Sequence, residues 1–126
     1  MILAGCLVLP TVYGQEIDLS REAQRASQLV KAGKPREAIP IYFRLVQSAP
    51  DRPEFLIDLC VAEFKAKQYE DAIQHAGAAL KLNPNSSAAN LFIGASYLEL
   101  GQHTNAITPL QRVLAVTPSD RNARLR

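Results

Sequence analysis

The sequence repeats itself with a fixed period. Pro50, Pro84 and Pro118 are each 34 residues apart, and an Ala-Ile pair stands twelve residues before each proline. Since proline makes up only about 5% of an average protein, this coincidence is not expected by chance. A period of about 20 to 50 residues indicates one supersecondary unit that is stacked repeatedly. The pairs are Ala38-Ile39, Ala72-Ile73 and Ala106-Ile107.

Within each unit the apolar residues have helical spacing. Over residues 72–80 they follow steps of three and four, not the alternation of a β-strand. Each unit is therefore predicted as helix, turn, helix, with Ser20 and Thr104 as candidate N-caps. The predicted helices are 20–32, 36–48, 53–66, 70–82, 87–100 and 104–116.

At three equivalent positions of the units, here called columns, helix packing or backbone conformation explains the type of residue. Two of them hold only small residues, as is needed where helices cross closely. The third falls in the turn inside each unit, where a left-handed residue is favoured, and a lysine there is expected to be unfavourable. The columns are Ala26, Cys60, Gly94; Ala38, Ala72, Ala106; and Gly33, Lys67, Gly101.

These columns resemble the tetratricopeptide repeat family. The third unit matches its pattern at Ile93, Gly94, Tyr97, Gly101, Ala106, Leu110, Val113 and Pro118, while Asn90 replaces the usual tryptophan. In the second unit Cys60 replaces glycine and Glu63 replaces tyrosine. The resemblance implies an all-α, right-handed α-solenoid of three helix-turn-helix repeats. Their predicted bounds are 19–52, 53–86 and 87–120, and residues 121–126 begin a fourth pair or a capping helix.

The resemblance further implies that the first helix of each pair lines a concave groove for a protein or peptide partner. Helical spacing then selects the lining residues. Many are apolar, and exposed apolar patches usually mark interaction surfaces. Alternatively, another part of the chain covers this strip, or helix rotation buries it. The predicted lining is Ala23, Ser27, Lys31, Ile57, Asp58, Val61, Phe64, Lys65, Leu91, Phe92, Ala95 and Leu98.

One function of the family is disfavoured. Chaperone-binding members clamp a terminal carboxylate with lysine, asparagine and arginine on these helices. A carboxylate would here meet Asp58 and no clustered cations. An apolar or mixed helical ligand is therefore expected instead. The places of the clamp hold Ala23, Ser27, Asp58, Ala88 and Phe92.

Composition and motifs argue against other classes. Fourteen Lys and Arg against twelve Asp and Glu give a net charge of +2, too little for a nucleic-acid footprint. Cys6 and Cys60 form no paired motif, and neither His75 nor His103 has a metal-ligand partner three or four residues away. No phosphate loop or nucleophile elbow occurs. We therefore predict no enzyme activity, metal, cofactor or small-molecule substrate.

Residues 1–14 carry no charge and resemble the apolar core of a signal peptide, with Gln15 as the mature start. The segment is too short to span a bilayer. This interpretation predicts a secreted or periplasmic protein. A basic n-region is missing, so a plain tail on a cytoplasmic protein and a bacterial lipoprotein with lipid on Cys6 are the alternatives.

The favoured hypothesis is a non-catalytic scaffold that binds a protein or peptide. One alternative is the recognition arm of a longer enzyme. The other is self-association through an open C-terminal face formed by Val113, Leu114 and Val116. The sequence does not name the partner.

Overall fold

The computed structural model describes residues 18–116, without the side chain of Val116. This part of the chain consists of six helices joined by short turns and contains no strand. Every predicted helix is present, and each end that the described residues define lies within two residues of its predicted position. The helices are α1 (residues 18–31), α2 (Pro35–Ser48), α3 (Pro53–Lys65), α4 (Tyr69–Leu82), α5 (Ser87–Glu99) and α6 (His103–Val116).

The helices stack in chain order. From α2 onward each helix packs on the next, and the first helices α3 and α5 also pack on each other. Within the described residues, the second helices α2, α4 and α6 make at most marginal contact among themselves. The predicted all-α solenoid of about three helix pairs is confirmed. Because α3 and α5 approach each other more closely than α2 and α4 or α4 and α6, this part of the stack curves toward its first helices.

The two columns of small residues lie in the interior, as predicted. Ala38, Ala72 and Ala106 are at most 1% exposed. A methyl group added to Gly94 would lie 2.6 Å from Cγ and Cδ2 of Leu110. Glycine is therefore what lets α5 and α6 approach each other at this point.

The turn inside each unit has one conformation, used three times. Gly33, Lys67 and Gly101 have φ angles of +79°, +65° and +76°. In each turn the next residue donates its N–H five residues back, as from Gln68 to the Glu63 carbonyl at 2.8 Å. This is the Schellman ending of a helix, which favours glycine. Lys67 is thus strained, as predicted, by roughly 1–2 kcal/mol.

Both predicted N-caps are wrong. Ser20 lies inside α1, and Thr104 is the second residue of α6, so both have helical backbone where a cap needs an extended one. Ser86 does cap α5, since its Oγ accepts a hydrogen bond from the Ala89 N–H at 3.2 Å. Proline opens α2 and α3, where its missing N–H has no cost.

None of the helices described is long and apolar enough to cross a membrane. Several predictions lie outside the described residues: the signal-like segment 1–14, the alternative lipid site Cys6, the side chain of Val116 and the capping segment 121–126. The bounds of the three units stay predictions.

Candidate partner-binding surface

The predicted lining residues lie on α1, α3 and α5, and we call these twelve residues the first-helix face. None of them is buried. Those exposed are Lys31, Lys65, Leu91 and Leu98, and the other eight are partly buried. The strip is therefore partly covered by neighbouring residues and not fully hidden in the core.

An aromatic contact joins the helices of the first-helix face. Ile57, Phe64 and Phe92 pack against the core formed by α3, α4 and α5. The rings of Phe64 and Phe92 meet edge to face, with centroids 5.4 Å apart and an angle of 71°. Tyr69 packs on Phe64 at 5.5 Å. Phe64 is thus held between two rings, so this part of the surface is preformed.

Two leucines stand beyond these anchored rings. Leu91 is 45% exposed and Leu98 is 44% exposed, seven residues apart on one side of α5. With Ala95 between them they form an apolar ridge next to Phe92. A helical ligand could cover such a ridge with few changes in the protein.

The polar part of the face lies between the first and second units. Asp58 is partly buried, and burial raises the pKa of its carboxyl, with the charge of Glu54 acting in the same direction. Burial also raises the pKa of Tyr42 to about 12, helped by the Asp58 charge and opposed by a hydrogen bond with Ser27. This corner disfavours a further negative charge.

Charges of both signs lie along the face. Glu54 and Asp58 lie in the first half of α3, and Glu54 is paired with Arg52 at 2.8 Å. Lys31 and Lys65 end α1 and α3, whereas Glu99 ends α5. Neither margin of the face therefore carries charges of one sign.

Sequence reasoning missed an ion pair between α3 and α4. Nδ1 of His75 lies 2.8 Å and 3.0 Å from the two carboxylate oxygens of Glu63, which is 3% exposed. The hydrogen bond to Glu63 raises the pKa of His75, and burial opposes the rise. The two residues are twelve positions apart on different helices, so the three- and four-residue spacing within one helix does not connect them. The available signal was Glu63 itself, an acid at a normally aromatic position.

Within the described residues, the pair of Glu63 and His75 does not belong to a larger cluster of possible metal ligands. Across the described ranges, no group of three or more His, Cys, Asp or Glu residues is placed to hold a metal ion. Cys60 is 1% exposed, and its pKa is raised to about 12, mainly by burial and to a smaller extent by the charge of Glu63. Its thiol therefore stays protonated and acts as a small core residue.

Comparisons with known proteins agree with the fold. The family described as Tetratricopeptide repeat matches residues 29–75 and 63–126. The second TPR of Spaghetti (RPAP3), bound to the HSP90 peptide SRMEEVD, is 25% identical over 77% of this chain and 90% of its own, with a TM-score of 0.72. The MamA RS-1 ArsTM double mutant is 26% identical over 83% of this chain, with a TM-score of 0.75.

The matched part spans 59% of that MamA chain, and so covers less than two thirds of its length. A chain of the CopN-Scc3 complex is 17% identical over 78% of this chain and 58% of its own, with a TM-score of 0.73, which supports the fold alone. No curated protein matches the chain. The family match extends over most of the sequence and agrees with the six stacked helices. The chain belongs to the tetratricopeptide repeat family.

Proposed function

We propose that the chain is a non-catalytic interaction module that holds a protein or peptide segment on its first-helix face. The observation that carries the proposal is the ridge of Leu91 and Leu98, which are 45% and 44% exposed beside the anchored pair of Phe64 and Phe92. Apolar surface left in water next to rigid aromatic rings favours association.

One of the similar structures contains a bound peptide, which guides the choice of ligand only in part. The RPAP3 repeat domain was captured with an HSP90 peptide, SRMEEVD, which carries three acidic residues. In this chain the first-helix face presents Asp58, whose raised carboxyl pKa indicates a site unfavourable to negative charge. We therefore propose an apolar or amphipathic helical ligand, not an acidic chain end.

Peptide selection against the immobilised protein tests this proposal. The altered variant is Leu91→Ser with Leu98→Ser, and the matched control is Leu82→Ser, since Leu82 is also 44% exposed but lies on the second helix α4. Selected peptides should bind the wild type and the control alike. They should bind the double variant at least about tenfold more weakly, because two apolar contacts are lost.

Circular dichroism should show the same helix content in all three proteins. Peptides that bind the double variant as tightly as the wild type would remove the first-helix face from the proposal. Peptides that lose affinity for Leu82→Ser instead would move the binding surface to the second helices.

A second candidate function is self-association through α6. Ile107 is 52% exposed and Leu114 is 53% exposed, and both lie on this last described helix. A second copy could cover them and form a symmetric dimer. Sedimentation velocity should then show a dimer that dissociates on dilution and is absent in Leu114→Glu, with Leu82→Glu as control. A monomer at every concentration would contradict this candidate.

A further inference from the structure

A cleft of about 430 Å³ opens at one edge of the stack, between the turn of the first unit and the end of α3. Four of its lining residues are cations, Lys34, Arg36, Lys65 and Lys67, and only Glu37 is acidic. We call these five residues the basic cleft. Lys65 also belongs to the first-helix face, so the two surfaces are continuous.

The four cations of the basic cleft are exposed and uncompensated. In the described part of the chain none of them makes an ion pair, whereas Arg25, Arg44 and Arg52 each lie near a glutamate. Like charges gathered in a concave site raise the local positive potential and attract anions. The positive charge of these four residues is thus not neutralised by ion pairs within the described part of the protein.

Backbone strain points to the same place. Lys67 has a φ of +65°, where the equivalent turns have Gly33 and Gly101. A lysine in this conformation is less stable than glycine, so the side chain is present at a cost to the fold. Strain of this kind supports a functional hypothesis when an observed outlier lies at a candidate site.

We propose that the basic cleft is a docking site for a short acidic segment of a protein partner. Glu70 and Asp71 open α4 three and four residues after Lys67, and Glu37 lies in the cleft itself. The positive area is therefore small and bordered by acids. A nucleic-acid duplex or a bilayer would bring its phosphates close to these carboxylates, inside the screening length of about 10 Å. A few glutamates or aspartates in extended chain cover a smaller area, and so reach the four cations with less of this repulsion.

The test uses the whole chain and a fluorescein-labelled peptide of eight glutamates, followed by anisotropy at low ionic strength. Binding should saturate at one peptide per chain and weaken as salt is added. The variant Lys34→Gln with Lys67→Gly should weaken binding about tenfold, as expected from the loss of two exposed ion pairs. The glycine at position 67 relieves strain, so the variant should keep its fold and at least its thermal stability.

The matched control is Lys81→Gln with Arg112→Gln, which removes two exposed charges outside the cleft. It should bind the peptide like the wild type. Equal weakening of both double variants would show an effect of net charge only and overturn the proposal, as would the absence of saturable binding. Tighter binding of a DNA duplex or of phosphatidylserine vesicles through Lys34 and Lys67 would overturn the assignment to a peptide.

The variant Leu91→Ser with Leu98→Ser separates the two sites. It should keep full affinity for the glutamate peptide, since the basic cleft does not depend on the apolar ridge. Loss of this affinity would show that the acidic peptide lies on the first-helix face, and would overturn the cleft as a separate site. Failure of the first-helix face to bind apolar peptides would leave this result unchanged.

Discussion

The second and third units have the same architecture, yet at three positions of the first helix and its turn only one of them keeps the residue that the family favours. The third unit has the residues typical of the family, and the second has substitutes. Two of the substitutes are accompanied by a change on the facing second helix, and one is not. The pairs are Cys60 and Gly94, Glu63 and Tyr97, Lys67 and Gly101.

At the helix crossing the change is one of volume. In the third unit Gly94 leaves room for Leu110, which lies against its backbone. In the second unit Cys60 is larger, and the residue equivalent to Leu110 is Ala76, in the same buried cluster. The combined volume of the two facing side chains is thus similar in both units. A repeat tolerates departures from its pattern when both helices change together.

At the next position the change is one of polarity. Glu63 takes the place that Tyr97 has in the third unit, and its partner His75 takes the place of Pro109. An acid and a base have replaced an aromatic residue and a proline. A carboxylate that is 3% exposed is stable here only while its partner is present.

Removing that partner should have the largest effect on the second unit. His75→Ala leaves the Glu63 carboxylate buried without its hydrogen bonds, and we expect a loss of about 3 kcal/mol in the free energy of unfolding. Urea unfolding followed by circular dichroism measures this loss. The double variant Glu63→Leu with His75→Leu should lose far less. If both variants are equally unstable, the pair contributes packing and not charge compensation.

The next largest loss of stability is expected where α5 crosses α6 in the third unit. Gly94→Ala places a methyl group 2.6 Å from Leu110, so overpacking should cost about 2 kcal/mol. Adding Leu110→Ala copies the small residue of the second unit and should recover part of the loss. Gly77→Ala is the matched control, because its methyl group meets nothing within 4 Å and should stabilise α4 by about 0.5–1 kcal/mol.

Equal melting temperatures for Gly94→Ala and the wild type would show that Leu110 moves aside without cost, and that the two units do not depend on matched volumes.

At the turn, the second unit has no accompanying substitution that offsets the backbone strain of Lys67. Lys67→Gly should raise the free energy of unfolding by about 1 kcal/mol, since it removes the strain of a positive φ. The reciprocal change Gly101→Lys should lower it by a similar amount, because open space around Gly101 leaves backbone strain as the main effect. Thermal and urea unfolding measure both. A stabilising Gly101→Lys would contradict the assignment of strain to these turns.

The same comparison explains what the sequence could predict. The six helices could be predicted from the 34-residue period, because each structural position recurs in all three units and its residue type can be compared three times. Features that occur once were missed. Glu63 and His75 pair across two helices, and the cations of the basic cleft come from two separate turns, so neither shows a spacing within one helix. Both N-cap predictions are wrong because the helices extend further toward the N-terminus than the pattern indicates, so that Ser20 lies inside α1 and Thr104 inside α6.

The smallest expected effect is a dependence of stability on pH that belongs to the second unit alone. The folded protein raises the pKa of His75 above the model-peptide value of 6.5, mainly through its hydrogen bond with Glu63. Below pH 6.5 the imidazole is protonated both folded and unfolded, and the full contribution is present. Between that value and the folded pKa the folded state holds more protons, so stability falls as pH rises.

Urea unfolding between about pH 6 and about pH 9 should therefore show a decline centred on the titration of His75. The decline should be smaller than the loss in His75→Ala, since a neutral imidazole still donates a hydrogen bond from Nδ1 to Glu63. The Glu63→Leu with His75→Leu variant should lack this decline. If it declines like the wild type, another group controls the pH dependence, and the charge of His75 adds nothing to the second unit.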